Sequence, residues 1–270
     1  MGIIKQLLKD IPIPKMVKIR QNFDDSGIDN VINTLTTKLN EYKFLGKIKN
    51  GAEVAVAVGS PGIRDIDKVT KVDAAKLVAV VTQLDLIPAM GSHGGATSDG
   101  QADILKNLGI TEHTMGCLIK SSMEVVKIGE IDNELPVYID KFAYNADGIV
   151  IINRVKPHTA FRGEIESGLC KMLTIGLGKQ KGAESCHALG FKHMEEHIIK
   201  MTGVILKGLP VLFAVATVEN AYDRVVKIEV VGKNKIVDTD RHLLIEAKKN
   251  IAKIYFDQID VLIIDRIGKD

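Results

Sequence analysis

Short apolar runs rich in β-branched residues alternate with amphipathic stretches along most of the chain. The runs at Glu53–Val58, 86–90 and 148–152 predict strands, and residues 67–84 and 98–108 carry apolar positions at helical spacing. The strands are apolar throughout rather than at every second position, which is typical of strands buried on both faces. We therefore expect an α/β fold of the Rossmann-like kind, with a mostly parallel sheet and helices on both of its faces.

The remaining elements follow from the same periodicities. Ser98 is the expected N-cap of the helix over 98–108, and Gly109 is its expected stop. Two alternating stretches predict a hairpin whose turn contains Asp132 and Asn133. The other predicted segments are hairpin strands at 124–128 and 135–139, helices at 192–207 and 238–253, and strands at 210–218, 225–231 and 260–264.

Composition narrows the class of protein. The 270 residues carry 36 Lys and Arg against 34 Asp and Glu, a net charge of +2, and 4% aromatic residues with no Trp. This balance argues against a basic or stacking surface for nucleic acids. No apolar run approaches the roughly 20 residues that cross a bilayer. Three cysteines without CxxC spacing, and a start without a signal peptide, lead us to expect a cytoplasmic protein with no membrane partner.

Polar loops follow three consecutive predicted strands, at 59–62, 91–95 and 153–163. Ligands of open α/β sheets bind outside the carboxyl ends of the strands, so these loops should converge. His93 lies among glycines, and Pro157 holds His158 at the end of its strand. We interpret the two histidines as an acid/base pair facing one substrate. The alternative for His93 is an exposed side chain on a tight turn.

Positive charge is concentrated in the same region. Basic side chains beside small residues suit a phosphate or a carboxylate, although no P-loop spacing occurs here. A solvated basic loop is the alternative interpretation. The charges in question are Arg154, Lys156, Arg162, Lys171, Lys179 and Lys181.

His193 and His197 have the i, i+4 spacing of a helical zinc pair. The glutamates between them are Glu195 and Glu196, so no Glu directly follows the first His as the zinc motif H-E-x-x-H requires. We therefore interpret this pair as part of a solvated helix face.

Several of these segments together resemble one protein family. The runs MGSHGGAT (90–97), RVKPHT with FRG (154–163), ESGLCKM (166–172) and GLGKQKGA (176–183) are similar to the nickel-pincer-nucleotide-dependent lactate racemases. The resemblance implies that residues 1–270 form the N-terminal, cofactor-binding domain of that family. It also implies that the family's C-terminal lobe is absent from this chain, as in a fragment or a naturally short homologue.

The resemblance further implies a cofactor and the residues that hold it. The family's cofactor is a pyridinium mononucleotide whose two sulfurs and one ring carbon bind nickel. By position, Lys171 corresponds to the residue that tethers it, His187 to the nickel ligand, Ser167 and Gly168 to residues that seat the cofactor, and His93 and His158 to the two catalytic histidines.

The implied function is a racemase or epimerase of a small 2-hydroxy acid, an isomerase that works by proton-coupled hydride transfer to the nickel-pincer nucleotide. Its implied partners are the substrate and the enzymes of cofactor synthesis. One rival is a non-catalytic anion- or nucleotide-binding lobe that needs a missing segment or partner. A nicotinamide-dependent oxidoreductase is disfavoured, because no G-x-G-x-x-G follows the first strand.

Two positions depart from the family pattern. Pro61 stands where the family commonly has the Arg that binds the substrate carboxylate, and Arg64, three residues later, is the candidate replacement. Leu169 and Cys170 stand where lactate racemases have small residues, so a pocket of different shape is expected.

Overall fold

Six strands form one mixed sheet in the computed structural model, which describes residues 2–12, 15, 17–42, 46, 48–49, 51–59, 62–132, 134–188 and 190–266. Across this sheet the strands cover residues 118–119, 83–88, 53–58, 148–154, 211–219 and 225–232, in that order, and residues 125–131 and 135–140 form a separate antiparallel hairpin. All pairings in the large sheet are parallel except that between residues 211–219 and 225–232. The predicted α/β fold with a mostly parallel sheet is thereby confirmed.

Helices and strands alternate along the chain, as the sequence pattern predicts. The strands are β1 (Glu53–Val58), β2 (Gln83–Pro88), β3 (Leu118–Ile119), β4 (Val125–Ile131), β5 (Leu135–Asp140), β6 (Gly148–Arg154), β7 (Val211–Glu219) and β8 (Val225–Gly232). The helices are α1 (Ile3–Leu7), α2 (Val31–Tyr42), α3 (Ile66–Val78), α4 (Ser98–Asn107), α5 (Glu112–Met115), α6 (Lys141–Asn145), α7 (Leu169–Lys171), α8 (Lys179–His187), α9 (Met194–Gly208) and α10 (Ile236–Asn250).

Two hydrophobic cores cover the two faces of the sheet. In β1, Val54, Val56 and Val58 belong to one core, which also contains residues of α2, α3 and α4. Ala55 and Ala57 belong to the other, with residues of α7, α8, α9 and α10 and of the hairpin. Successive side chains of a strand point to opposite faces, so a strand that is buried on both sides must be apolar at every position.

The order of the strands reverses at β1. The chain runs outward from β1 through β2 to β3 on one side, and then continues from β6 through β7 on the other side of β1. The connecting helices of the first half pack on one face, and those of the second half on the other. A crevice therefore opens at the carboxyl ends of β1 and β6, where open α/β sheets bind their ligands.

Most element boundaries lie within a few residues of their predicted positions, but the start of α4 differs. The N-cap is Thr97, whose side chain accepts a hydrogen bond from the amide of Gly100, and Ser98 is the first helical residue. The prediction that Ser98 caps this helix is wrong. Both residues can cap, and the extended backbone of Thr97 decides which of them does.

The predicted strand over 260–264 is also wrong. These residues pair with no strand, and Val261 and Ile263 are 78% and 84% exposed. Apolar, β-branched character favours a strand only where a neighbouring strand supplies backbone partners. Ser60, Pro61, Asn133 and residues 267–270, which entered the sequence interpretation, lie outside the described residues. Among the described helices, none has the length and apolar character that a bilayer crossing requires.

A matched pair of substitutions tests this assignment of core and periphery. Ile151 is fully buried in β6, and its replacement by Ala is expected to lower the free energy of unfolding by about 2–5 kcal/mol. Ile263→Ala removes the same atoms from an exposed position and is expected to change the free energy of unfolding by less than about 0.5 kcal/mol. Urea denaturation measures both. A loss at Ile263 as large as that at Ile151 would show that the segment around residue 263 is packed.

Candidate functional site

A cavity of about 880 Å³ opens at the carboxyl ends of β2, β1, β6 and β7. The three loops that the sequence predicted to converge all contribute to it, through Gly62, His93 and Asn153 among others. Of the predicted site residues, those that line the cavity are Arg64, His93, His158, Ser167, Lys171 and His187. Gly168 is the neighbour of Ser167 and takes part through its backbone, as described below.

His93 lies in the turn between β2 and α4, and hydrogen bonds from a buried side chain hold the backbone of this turn. The buried side chain of Gln101 donates from Nε2 to the carbonyl oxygens of Gly91, at 2.8 Å, and of His93, at 3.3 Å. Gly94 has a φ of +66°, and a Cβ at this position would lie 2.6 Å from the carbonyl carbon of Gly100. Glycine at 94 is therefore required for the loop to close onto α4.

His158 is fixed by its contacts with the segment that leads to Lys171. Its amide donates to Glu166 Oε2 at 2.7 Å, and reciprocal backbone hydrogen bonds join Lys156 to Ser167. The Nδ1 atom of His158 accepts a hydrogen bond from the amide of Ala160 at 3.1 Å, which places the proton of a neutral ring on Nε2. The imidazole also packs against Phe161, with 4.5 Å between ring centroids.

Glu166 is a buried carboxylate that serves the backbone of this loop. It accepts from the amides of His158 and Gly163, and Lys248 lies 2.7 Å from Oε1. Burial raises the pKa of Glu166, but the hydrogen bond from Lys248 and those from the two amides outweigh it and leave the pKa below its usual value. Glu166 is therefore an ionised anchor that holds His158 in the cavity wall.

A second buried carboxylate holds the turn that bears Lys171. Both oxygens of Asp240, on α10, accept from backbone amides at the start of α7, those of Leu169 at 3.0 Å and Cys170 at 2.9 Å. A Cβ at position 168 would lie 1.9 Å from Asp240 Oδ1, so this approach requires Gly168. After Lys171 the chain makes one turn of π-helix over Met172–Gly176, a feature common at functional sites.

Lys171 and His187 lie on the wall formed by the segment that follows β6. Burial, and then the positive charge of Lys171, lower the pKa of His187 below its usual value. A neutral imidazole retains a lone pair that can bind a metal ion. The ring of Phe191 flanks His187, with 5.7 Å between centroids.

At the ends of β1, β6 and β7 the cavity contains one carboxylate that contacts the backbone amide of one arginine and the side chain of another. Glu219, at the end of β7, accepts from the amide of Arg64 at 2.8 Å and lies 2.5 Å from Arg154 Nη1. Arg154 also donates to the carbonyl of Gly62 at 2.9 Å. Burial raises the pKa of Glu219, and Arg154 opposes that rise. Glu219 thus joins the ends of β1, β6 and β7.

These donors fit the cofactor that the resemblance implies. Among the described residues, no group of three or more His, Cys, Asp or Glu side chains could hold a metal ion. The nickel ion that the resemblance implies would bring three ligands with its cofactor and would need a further donor from the protein, which the His187 imidazole would supply. Lys171, on the same wall, would supply the amine for a covalent tether.

Two interpretations of single residues need correction. Lys179 is fully buried beneath the cavity and does not contribute its charge to a ligand-facing cluster. His197 is also buried, with Nδ1 at 3.5 Å from the carbonyl oxygen of Cys186, so only His193 of this pair belongs to an exposed surface.

The supporting residues escaped the sequence analysis because they are distant in sequence from the groups they hold. Asp240 lies 71 residues from Leu169, and Arg64 is separated by 155 residues from Glu219. Glu219 had one available signal, an acidic residue that ends the apolar run over 211–218. In the sequence, Asp240 and Gln101 cannot be distinguished from the solvent-facing polar residues of an amphipathic helix.

Comparisons with known proteins agree with this picture. Residues 72–198, just under half of the chain, match the family described as the lactate racemase N-terminal domain. That segment contains every predicted site residue except Arg64. Among functionally curated proteins, no match to this sequence is found.

Two solved structures share the fold. One is a structural-genomics crystal structure of a Thermotoga maritima protein, at 14% identity and a TM-score of 0.58, with 80% of this chain and 59% of that chain covered. The other is the lactate racemase apoprotein from Thermoanaerobacterium thermosaccharolyticum, at 15% identity and a TM-score of 0.54, with 78% and 54% covered.

The chain thus spans somewhat more than half the length of these two proteins. The resemblance to the lactate racemase family is confirmed: residues 72–198 match its N-terminal domain, and the fold is similar to that of lactate racemase.

Proposed function

We propose that this chain is the cofactor-binding part of a racemase or epimerase of 2-hydroxy acids, with the nickel-pincer nucleotide as its cofactor. One observation carries the proposal: a single cavity brings together His93, His158, Lys171 and His187 from different segments of the chain. Two histidines, an amine and a third imidazole on the walls of one cavity match the needs of this chemistry.

Racemisation of a 2-hydroxy acid requires removal of the hydroxyl proton and of the hydrogen on the α-carbon. When bound, the cofactor supplies the acceptor for hydride. His93 and His158 supply proton transfer at the substrate oxygen, one for each orientation of the substrate. Lys171 holds the cofactor covalently, His187 holds nickel, and Arg64 is the candidate group for the substrate carboxylate. Ser167 and Gly168 shape the seat.

The hydrogen bond from Ala160 to His158 has a consequence for this role. While Nδ1 accepts that hydrogen bond, the ring proton is on Nε2, and Nε2 has no free lone pair with which to accept a proton from the substrate. Action of Nε2 as a base, or of the doubly protonated ring as an acid, requires a proton on Nδ1, so this contact must open. Opening one such hydrogen bond costs about 1 kcal/mol, which is small against the barrier of the reaction.

The tether and the activity can be tested on the same sample. We expect the full chain, co-expressed with cofactor-synthesis enzymes and loaded with nickel, to carry an adduct at Lys171 in intact-protein and peptide mass spectra. Lys171→Arg should abolish the adduct, and Lys181→Arg, at an exposed lysine of the same segment, should not. Chiral chromatography of a panel of 2-hydroxy acids should then show racemisation of at least one.

The outcomes separate the rival functions. An adduct at Lys171 without turnover of any acid would favour the non-catalytic binding lobe. Absence of both the adduct and racemisation would contradict the proposal.

His187→Ala is expected to lower the nickel content of the loaded protein by more than about tenfold, because it removes the protein's donor to the metal. The fold should persist, since His187 is an exposed residue at the end of α8. Elemental analysis gives nickel per chain, and circular dichroism reports the fold. His193→Ala, at an exposed histidine nearby, is the control and should retain nickel. An unchanged nickel content in His187→Ala would refute the assignment.

Glu166→Gln tests the anchor of His158. The folded-state pKa of Glu166 is lowered, so its stabilisation is complete above the unfolded pKa of about 4.3 and is lost as the pH falls through the folded pKa. We expect the variant to be about 1–3 kcal/mol less stable than the parent at pH 7, with a difference that shrinks below about pH 4.

Denaturant unfolding at several pH values from about 3 to about 7 measures this difference in stability. That range includes pH values at which the Glu166 carboxyl of the unfolded chain is protonated and values at which it is ionised. Glu164→Gln is the matched control, because that side chain is 75% exposed and should contribute little. A difference between parent and Glu166→Gln that is the same at every pH would contradict an ionised anchor.

A further inference from the structure

A buried lysine lies beneath the cavity, and the chemistry proposed above does not use it. Lys179 is 0% exposed, although lysine is almost never fully buried without partners. Its backbone has a left-handed φ of +56°, and among the described non-glycine residues with such a φ it alone is buried. Backbone strain at a buried, charged side chain persists where surrounding contacts hold it, and it clusters at functional sites.

Three elements supply the partners of the Lys179 ammonium. It donates to the carbonyl oxygen of Pro88 at the end of β2 and to Gln101 Oε1, at 3.0 Å, on α4. Asp140 Oδ2, at the end of β5, lies 3.4 Å away, and Asp140 Oδ1 accepts from the amides of Phe142 and Ala143 in α6. One ammonium thus joins three parts of the chain.

The chain of contacts continues to His93. Gln101 accepts from Lys179 with its oxygen and donates with its nitrogen to the carbonyls of Gly91 and His93. Lys179 itself lies between Lys171 and His187 in the sequence. A second contact joins the loop of His93 to the segment between Lys171 and His187: the Gly91 amide donates to the Gly176 carbonyl at 3.1 Å.

We infer that Lys179, acting through Gln101, is a positioning residue that fixes the loop of His93 against the segment carrying Lys171 and His187. This inference rests on the proposed function for its catalytic meaning, but its structural content can be tested without cofactor. A purely apolar core would fill the same space without directional bonds. Lysine and glutamine instead specify one distance between the two walls of the cavity, as hydrogen-bonded buried networks do.

The competing explanation is that Lys179 only neutralises Asp140. Two sets of variants separate the explanations. Gln101→Met keeps the ion pair and breaks the link to the loop, and Gln101→Glu, as a second variant, keeps an acceptor for Lys179 but loses the donor to both carbonyls. Asp140→Asn removes the ion pair and keeps the link. The double variant Asp140→Asn with Lys179→Met removes both without leaving an unpaired charge.

Amide hydrogen exchange, read by mass spectrometry on the cofactor-free chain, is the measurement. In both Gln101 variants and in the double variant, exchange in residues 90–97 should accelerate by about tenfold or more, while β6 remains protected as in the parent. Asp140→Asn should leave residues 90–97 as in the parent. Unchanged exchange in the Gln101 variants, or equal acceleration in Asp140→Asn, would overturn the inference.

The loaded enzyme provides a second readout. If racemisation is detected, Gln101→Met should lower kcat by about tenfold or more and leave KM within about twofold, because misplacement of His93 affects proton transfer more than substrate binding. Because hydrogen exchange requires no turnover, failure of the proposed function and failure of this inference remain distinguishable.

Discussion

The convergence of parallel strands at one edge of a doubly covered sheet is the constraint on which the site depends. Both faces of β1 and β6 are buried in separate cores, so the crevice at their carboxyl ends is where side chains from several loops can meet a ligand. The reversal of strand order at β1 separates the connections on either side and leaves the space open. His93 and His158 approach it from opposite sides of the reversal.

Loops alone would not hold these groups in place, and buried polar side chains supply the missing restraint. Glu166 accepts from the amide of His158, and Asp240 accepts from two amides beside Lys171. Each carboxylate takes backbone donors that would otherwise be unsatisfied in a dry interior, which offsets the cost of its own burial. The same principle with the opposite charge applies to Lys179, which has two hydrogen-bond acceptors and an ion pair with Asp140. Buried side chains that do not face the ligand thus fix the positions of the residues that do.

The sequence predicted the local elements and the ligand-facing residues, but not the contacts between distant segments. Continuous apolar runs identified β1 and β6, because a strand buried on both faces is apolar at successive positions rather than at every second one. Residues 260–264 carry the same signal without a neighbouring strand, and no strand forms there. Asp240 could not be found this way, since its role exists only where α10 packs on the turn before Lys171. The exposure of Lys179 was predicted wrongly, because a cluster of basic residues in the sequence does not show which of their side chains are buried.

The central claim is that one cavity at the ends of β1 and β6 takes a nickel-bearing cofactor between Lys171 and His187. A crystal structure of the cofactor-loaded chain, with diffraction data collected on both sides of the nickel absorption edge, tests it most directly. We expect electron density continuous with the Lys171 side chain and an anomalous peak at bonding distance from the His187 imidazole. An anomalous peak elsewhere on the protein, or a cofactor bound away from Lys171, would contradict it.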